Sequence, residues 1–196
     1  MRNSAIIALI IALANMCFYF FLDPLLRKDA IAKSPDATEH DKGTTIFIGV
    51  AFFVSWCLLL LAVLLDQLRI GLVEPHLVFA VIGIVLVTAG GTVRVVAMRT
   101  LGKFFTRTLQ MREKHRVVSK GIYRHIRHPG YLGDIVLFVG SGIATSNAMA
   151  TILILGVILP AFVQRIAVEE RMLVKLLGEE YTAYRTKTWK LIPFVI

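Results

Sequence analysis

The hydrophobic positions of this chain fall into long uncharged runs that are separated by polar or basic segments. Three runs are long enough for a helix to cross about 30 Å of hydrocarbon, and they predict membrane spans at about residues 4–22, 44–65 and 76–98. A fourth run is uncharged from Ile135 to Val163. One straight helix of that length would measure about 43 Å, which is too long for a single crossing and too short for two full-length ones.

The middle of the fourth run indicates how the chain turns there. Ser146 and Asn147 lie near its centre, where a break between helices is expected. We therefore predict a short helical hairpin with arms at about 130–145 and 148–164, starting near Pro129 because proline is favoured in the first helical turn. The predicted fold class is an all-α polytopic membrane protein with five transmembrane helices.

The charge distribution predicts the topology of these spans. The chain is 57% hydrophobic and has a formal net charge of +9, but its basic residues lie between the apolar runs, as the positive-inside rule requires, so no nucleic-acid partner is expected. The segments 99–129 and 165–196 are predicted to be cytosolic and to form the site. The N-terminus is then outside the membrane, and residues 1–196 form one integral membrane domain.

A few polar or reactive residues lie within the apolar runs. Cys17 and Cys57 have neither a disulfide pattern nor metal-ligand spacing, so no metal site is predicted. Arg94 lies about one turn before the end of the third span, and the sequence leaves two interpretations open. Its side chain either extends to the membrane interface or faces a functional site.

The stretch from Val117 to Gly133, VVSKGIYRHIRHPGYLG, contains more chemistry than a membrane anchor needs. Arg127 and His128 directly precede the hairpin, so they are expected at the membrane surface. A basic cluster that binds anionic lipid head groups would explain the lysines and arginines. It would not explain the histidine and the tyrosines, so we interpret Arg127 and His128 as part of a functional site.

The C-terminal tail supplies acidic and aromatic candidates. Glu169 and Glu170 lie on a predicted helix that ends before Gly178. They either pair with the basic loop or provide a site carboxylate, and since neighbouring helical residues point about 100° apart, one of the two is expected to face the site. Tyr181 and Tyr184 on the following short helix are interpreted either as packing residues or as part of a lid over the site.

Three motifs together carry a resemblance to a known family: RHP-x-Y-x-G at 127–133, EE at 169–170 and GEEY-x-x-Y at 178–184. They resemble the isoprenylcysteine carboxyl methyltransferase family and its relatives among the small membrane phospholipid methyltransferases. The resemblance covers about residues 117–193, and the small number of spans resembles the prokaryotic-type members. A cell-membrane location would follow from that origin.

The resemblance implies transfer of a methyl group from S-adenosylmethionine to a lipophilic acceptor at the cytosolic face of the lipid bilayer. It implies that Arg127 and one of Glu169 and Glu170 act in substrate handling and catalysis. The residues that it implies for cofactor binding are Val117, Val118, Tyr123, His128, Tyr131, Leu132, Tyr181 and Tyr184.

The chemistry of the acceptor leaves three functions open. A prenylcysteine-like carboxylate is already ionised and requires only orientation, for which Arg127 offers a bidentate fork. The amine of a phospholipid head group must first lose a proton, so His128 or Glu170 would serve as the base. The third possibility is a non-catalytic membrane protein that binds anionic lipid or a partner.

Overall fold

The computed structural model describes residues 3–26, 43–102 and 117–193. These residues form helices and turns with two isolated β-bridges, which agrees with the all-α prediction. The predicted polar loop at 27–42 and the central basic residues 103–116 lie outside the described residues.

Three helices are long and apolar enough to cross a membrane by themselves: α3 (Thr44–Gln67), α4 (His76–Leu101) and α6 (Ala148–Leu177). Shorter apolar helices span Leu9–Phe21 and Pro129–Ala144, so the count of five spans stays a prediction. A π-helical turn at Phe18–Leu22 joins the first two helices, and a 3₁₀ turn at Gly121–Arg124 precedes the fifth. In chain order the α-helices are α1 (Asn3–Cys17), α2 (Asp23–Leu26), α3 (Thr44–Gln67), α4 (His76–Leu101), α5 (Pro129–Ala144), α6 (Ala148–Leu177) and α7 (Glu179–Arg185).

The predicted hairpin is present, but its second arm is longer than expected. Helix α5 begins at Pro129, and Asn147 starts α6 by accepting a hydrogen bond from the Ala150 N–H at 3.0 Å. Helix α6 then continues for 30 residues to Leu177 and ends at Gly178, whose φ of +55° suits glycine. The predicted arm at 148–164 and the acidic segment after it therefore form one continuous helix.

The connection between α3 and α4 contacts the connection between α5 and α6. The Ala148 N–H donates to the Gly71 carbonyl at 2.8 Å, and the Val73 N–H donates to the Ser146 carbonyl at 3.0 Å. These hydrogen bonds between the loops pair backbone N–H and C=O groups that have no partner within a helix. They also fix the end of the bundle opposite to the site.

Helices α4 and α5 approach each other through glycines at seven-residue spacing. A Cβ atom built at Gly90 would lie 2.6 Å from the Gly133 carbonyl oxygen, and one at Gly140 would lie 2.7 Å from the Leu86 Cβ. Side chains at these positions would push the helices apart, so small residues make the close packing possible. This contact aligns the start of α5, which carries the candidate site residues, with the C-terminal end of α4.

Arg94 does not extend to the interface, so that interpretation is wrong. The residue is 5% exposed, and its guanidinium bonds to Asp23 at 2.9 Å and makes a short contact to Asp134. The Tyr19 hydroxyl donates to Asp134 at 2.5 Å. The two carboxylates compensate the charge of the buried arginine. This network ties α2, α4 and α5 together.

Candidate active site

The tail is paired with the RHP segment by backbone hydrogen bonds. The Arg127 N–H donates to the Trp189 carbonyl at 2.8 Å, and the Trp189 N–H donates to the His125 carbonyl at 2.8 Å. The next pair, from the His128 N–H to the Lys190 carbonyl, is 3.1 Å long. These three bonds make a short parallel bridge. The two predicted halves of the site are therefore joined directly.

The Arg127 guanidinium is held on two sides. Its Nε donates to Glu170 Oε1 at 3.0 Å. Its Nη1 donates at 3.0 Å to the carbonyl of Arg185, the last residue of α7, and makes a short bond to the carbonyl of Thr188, which lies beyond that helix. Two of its three nitrogens therefore bind protein, and the bidentate fork toward a substrate stays a prediction. Nη2 makes no hydrogen bond to any described residue.

Glu170 is buried behind the site and not at its surface. Its Oε1 lies 3.3 Å from His128 Nε2 as well as close to Arg127, and its Oε2 lies 3.6 Å from an Arg185 nitrogen. Three basic side chains therefore surround one carboxylate. This arrangement compensates the cost of burying the charge and fixes the rings and guanidinium around it.

Glu169 points to the other side of α6 and lines a cleft. Its Oε2 accepts a hydrogen bond from the Tyr131 hydroxyl at 2.6 Å and lies 3.9 Å from His128 Nδ1. The His128 and Tyr131 rings are stacked, with centroids 5.7 Å apart. Adjacent acids on one helix thus have different surroundings, as the 100° separation predicts.

The cleft has a volume of about 90 Å³. It lies between the end of α4, the segment before α5, and the C-terminal part of α6 with α7. Its wall combines valines and leucines with tyrosines, a histidine, an arginine and a carboxylate. The lining residues are Leu101, Val117, Val118, Tyr123, Arg127, His128, Glu169, Leu173, Leu177, Tyr181 and Tyr184.

Three tyrosines of the cleft have altered acidity. Burial raises the pKa of Tyr181 and Tyr123 well above the usual value, and nearby carboxylates raise it further. Burial also raises the pKa of Tyr184 to about 12. All three are therefore neutral phenols at physiological pH, able to donate hydrogen bonds.

One of these phenols lacks a hydrogen-bond partner. The Tyr181 residue is only 4% exposed, and its hydroxyl makes no hydrogen bond within the described residues. The neighbouring Tyr184 hydroxyl donates to the Tyr123 carbonyl at 2.6 Å. Because buried polar groups are nearly always paired, the Tyr181 hydroxyl in the wall of the cleft is a candidate hydrogen-bond donor to a ligand.

Most of the residues suggested by sequence come together around this cleft, but three lie outside its lining. Tyr131 and Glu170 support lining residues from behind, and Leu132 directly follows Tyr131 in the first turn of α5. The roles of all these residues remain predictions. The sequence reasoning missed three lining residues, namely Leu101, Leu173 and Leu177.

A signal for two of the missed residues was present in the sequence. Leu173 and Leu177 follow Glu169 at intervals of four, which places all three on one face of α6. Leu101 had no such signal, because its part in the cleft depends on how α4 packs against the segment at Val117.

Comparison with known proteins assigns this architecture to a family. The family model for isoprenylcysteine carboxyl methyltransferases matches residues 81–175. This match includes the RHP motif, Glu169 and Glu170, and the helices α4, α5 and α6 that position them. Over these residues the chain is similar to the isoprenylcysteine carboxyl methyltransferase family. It is therefore a methyltransferase and an integral membrane protein.

Individual relatives agree with the family assignment. A probable protein-S-isoprenylcysteine O-methyltransferase of Oryza sativa subsp. japonica is 28% identical over 154 residues, which are 78% of this chain and 81% of the rice protein. The Saccharomyces cerevisiae protein-S-isoprenylcysteine O-methyltransferase is 32% identical over 59% of this chain and 49% of its own length. These relatives are eukaryotic, so the prediction of a prokaryotic-type member of the carboxyl methyltransferase family is not borne out.

A solved structure supports the fold. The eukaryotic intramembrane Ras methyltransferase of this family superimposes with a TM-score of 0.58 at 24% sequence identity. The superposition covers 84% of this chain and 55% of that protein. The present chain therefore spans little more than half of the larger methyltransferase.

Proposed function

We propose that this methyltransferase transfers a methyl group from S-adenosylmethionine to the carboxylate of a lipidated, isoprenylcysteine-like acceptor, giving a methyl ester. The observation that supports the proposal is the cleft at the junction of the RHP segment and the tail. Arg127, His128, Glu169 and Tyr181 line this cleft, and the Tyr181 hydroxyl has no hydrogen-bond partner among the described residues. The names of the relatives give the acceptor class.

The donor set of the cleft suits this cofactor. S-adenosylmethionine carries an ammonium, a carboxylate, an adenine and a sulfonium, so its site needs an acid, N–H or O–H donors and apolar walls. Glu169 offers the acid, the Tyr181 hydroxyl offers a donor without a protein partner, and Leu173 and Leu177 offer an apolar wall. When bound, the cofactor supplies an activated methyl group.

The acceptor requires orientation and no proton transfer. A carboxylate is ionised at neutral pH, so the chain has to hold one oxygen in line with the methyl group and to exclude water. Arg127 suits this task through Nη2, because Nε and Nη1 are fixed by Glu170 and by the end of α7. A guanidinium that is anchored on two sides presents its remaining N–H groups with little loss of side-chain entropy.

Methylation of a phospholipid amine is less well supported. That reaction needs a base to take a proton from the ammonium. Glu170 already accepts hydrogen bonds from Arg127 and His128, and both His128 ring nitrogens face carboxylate oxygens. The two residues expected to act as base are therefore committed to each other.

The site lies at one end of the bundle, opposite to the loop contact at Gly71 and Ala148. We infer that this end is cytosolic, because the basic residues of the chain concentrate there, with the N-terminus on the other side. The lipid chain of the acceptor then reaches the site from the bilayer. Apolar outer faces of the long helices support this orientation relative to lipid, with Ile46 and Leu77 each 74% exposed.

Two measurements test the proposal on the purified full chain in detergent or lipid discs. Calorimetry with S-adenosylhomocysteine is expected to show binding, and complete absence of binding contradicts an enzyme that uses this cofactor. Transfer of tritiated methyl into a total membrane extract is expected to yield label that mild base releases, as from an ester. Label that resists base identifies N-methylation and contradicts the carboxylate acceptor.

A further inference from the structure

The segment that follows α7 runs beside the segment that precedes α5. A parallel bridge joins Ile126 with Trp189, and the Trp189 N–H donates to the His125 carbonyl at 2.8 Å. Ile126 and Leu191 are buried. Trp189 and Ile192 are 40% and 47% exposed. The end of the tail therefore packs inward through one set of apolar side chains and presents another set outward.

Both of these segments are basic. Residues 117–128 and 185–193 contain six lysines or arginines and no aspartate or glutamate. Two of the six, Arg127 and Arg185, are directed to the buried Glu170. The remaining four cations give this part of the molecule an excess of positive charge.

Three of these four cations lie close to Trp189 along the two paired segments. Arg124 and Lys187 each lie two residues before a member of the bridged pair, and both are exposed. Lys190 directly follows Trp189 and is half-buried. None of the three forms an ion pair with a carboxylate among the described residues. The cationic tail surface is the name used below for Arg124, Lys187, Trp189, Lys190 and Ile192.

The cationic tail surface lies next to the start of an apolar helix. Helix α5 begins at Pro129, and the N–H of His128, one residue earlier, donates to the Lys190 carbonyl at 3.1 Å. Tryptophan is enriched at the boundary between hydrocarbon and water, and basic residues beside a span are attracted to anionic head groups. Both preferences are satisfied at the position of this surface.

We propose that the cationic tail surface binds the anionic head groups of the bilayer that holds the chain, and that this contact keeps the tail paired with the segment before α5. Trp189 and Ile192 enter the head-group layer, and Arg124, Lys187 and Lys190 contact the lipid phosphates. The backbone of Trp189 is hydrogen-bonded to the segment before α5 on both sides of its peptide unit. A lipid contact at its side chain therefore resists separation of the two segments.

A bilayer fits this surface better than a soluble acidic partner does. Its exposed apolar side chains alternate with cations directly beside a span, which is the pattern of an interfacial anchor. The acids of the tail, Glu179 and Glu180, lie in the first turn of α7, at the opposite end of that helix from Lys187. They therefore leave the charge of the surface uncompensated.

Hydrogen exchange of the full chain in lipid discs tests the proposal. The peptide that covers residues 185–193 is compared in discs of phosphatidylcholine alone and in discs that also contain phosphatidylglycerol. Its exchange requires the tail to leave its partner segment, because the Trp189 N–H is bonded there. We expect exchange to be about fivefold slower in the anionic discs, the effect of roughly one basic residue at an anionic surface. Salt at about 1 M should remove most of this difference, because it shortens the screening length to about 3 Å.

Two matched variants separate this surface from the net charge of the protein. Lys187→Gln should reduce the difference between the two kinds of disc to about twofold or less. Lys175→Gln removes the same charge from an exposed position on α6, twelve residues beyond the exposed Val163. Twelve residues of helix span about 18 Å, which exceeds the screening length of about 8 Å at physiological salt. This control should therefore keep the full difference.

Fluorescence gives a second measurement of the same contact. The chain has two tryptophans, Trp56 and Trp189, so the difference between the unaltered protein and Trp189→Phe gives the signal of Trp189. Lipids brominated close to the head group should quench this signal more strongly than lipids brominated near the ends of the acyl chains, as expected for an interfacial ring.

Equal exchange rates in the two kinds of disc overturn the proposal. An equal loss of protection in Lys187→Gln and Lys175→Gln also overturns it, because the effect would then depend on net charge alone. Trp189 fluorescence that neither brominated lipid quenches places the surface in water and contradicts the lipid contact. These measurements need neither cofactor nor acceptor, so their failure is distinct from failure of the proposed function.

Discussion

Arg127 Nε and Glu170 Oε1 lie 3.0 Å apart, and both side chains are less than one tenth exposed. The same oxygen lies 3.3 Å from His128 Nε2. This carboxylate therefore organises the two residues of the RHP motif that carry polar side chains, although it does not line the cleft itself. The arrangement separates the paired acids into a cleft-lining Glu169 and a buried Glu170 behind it.

Removal of the Glu170 carboxylate should be costly for stability. Glu170→Ala leaves Arg127 and His128 buried without their partner, and breaking a buried pair in this way costs about 3 kcal/mol or more. We expect a fall of several degrees in the thermal midpoint in detergent, together with weaker binding of S-adenosylhomocysteine. Glu179→Ala, at an exposed position on α7, serves as the control and should change stability by about 0.5 kcal/mol or less. Equal midpoints for the two variants would contradict the role of Glu170.

Close packing between α4 and α5 should make Gly90 sensitive to a single methyl group. In Gly90→Ala the new Cβ would lie 2.6 Å from the Gly133 carbonyl oxygen, so the helices must separate at a cost of about 1–3 kcal/mol. Gly156→Ala on α6 is the matched control, since nothing lies within 4 Å of its Cβ. We expect the control to be neutral or stabilised by up to about 1 kcal/mol, because alanine favours helix. Thermal midpoints of the two variants provide the measurement, and a neutral Gly90→Ala would refute the close contact.

The Tyr181 hydroxyl should contribute to ligand affinity and not to the stability of the ligand-free protein. Tyr181→Phe removes a buried group without a hydrogen-bond partner, so stability without ligand should be unchanged or slightly higher. Affinity for S-adenosylhomocysteine should fall about fivefold to tenfold, as expected for one lost hydrogen bond. Tyr184→Phe should lower the free energy of unfolding of the ligand-free protein by about 1 kcal/mol, because it removes the hydrogen bond to the Tyr123 carbonyl. Calorimetry and thermal midpoints distinguish the two, and a destabilised Tyr181→Phe would count against a ligand-directed hydroxyl.

Stability should decline at alkaline pH through the tyrosines of the cleft. Burial raises the pKa of Tyr184 to about 12 in the folded protein, above the value near 10 of an unfolded chain. The folded state therefore holds the proton more tightly, and this contribution is fully present below about pH 10 and is lost as the pH rises toward 12. The thermal midpoint should fall across that interval, and less steeply in Tyr184→Phe. Ultraviolet titration of the phenols provides an independent measurement, and ionisation of every tyrosine near pH 10 would contradict it.

Local patterns in the sequence were enough for the helices and for the general location of the site. The start of α5 at Pro129, the turn at Asn147 and the end of α6 at Gly178 depend on proline, a polar break and a glycine, each of which acts within a few residues. The RHP motif and the paired acids could be recognised because a membrane anchor does not need a histidine, tyrosines and carboxylates beside its spans.

Tertiary packing alone determined which side chain does what. Arg94 turned inward because Asp23 and Asp134, distant in sequence, meet at the α4–α5 contact. The paired acids acquired different environments because α6 continues through them as one helix. These outcomes depend on contacts between residues that are far apart in the chain. Such contacts decide which buried charge is compensated by a partner. The sequence by itself determined that a membrane-embedded helical protein places a basic motif next to an acidic tail, and only the folded structure assigned Glu169 to the cleft and Glu170 to its support.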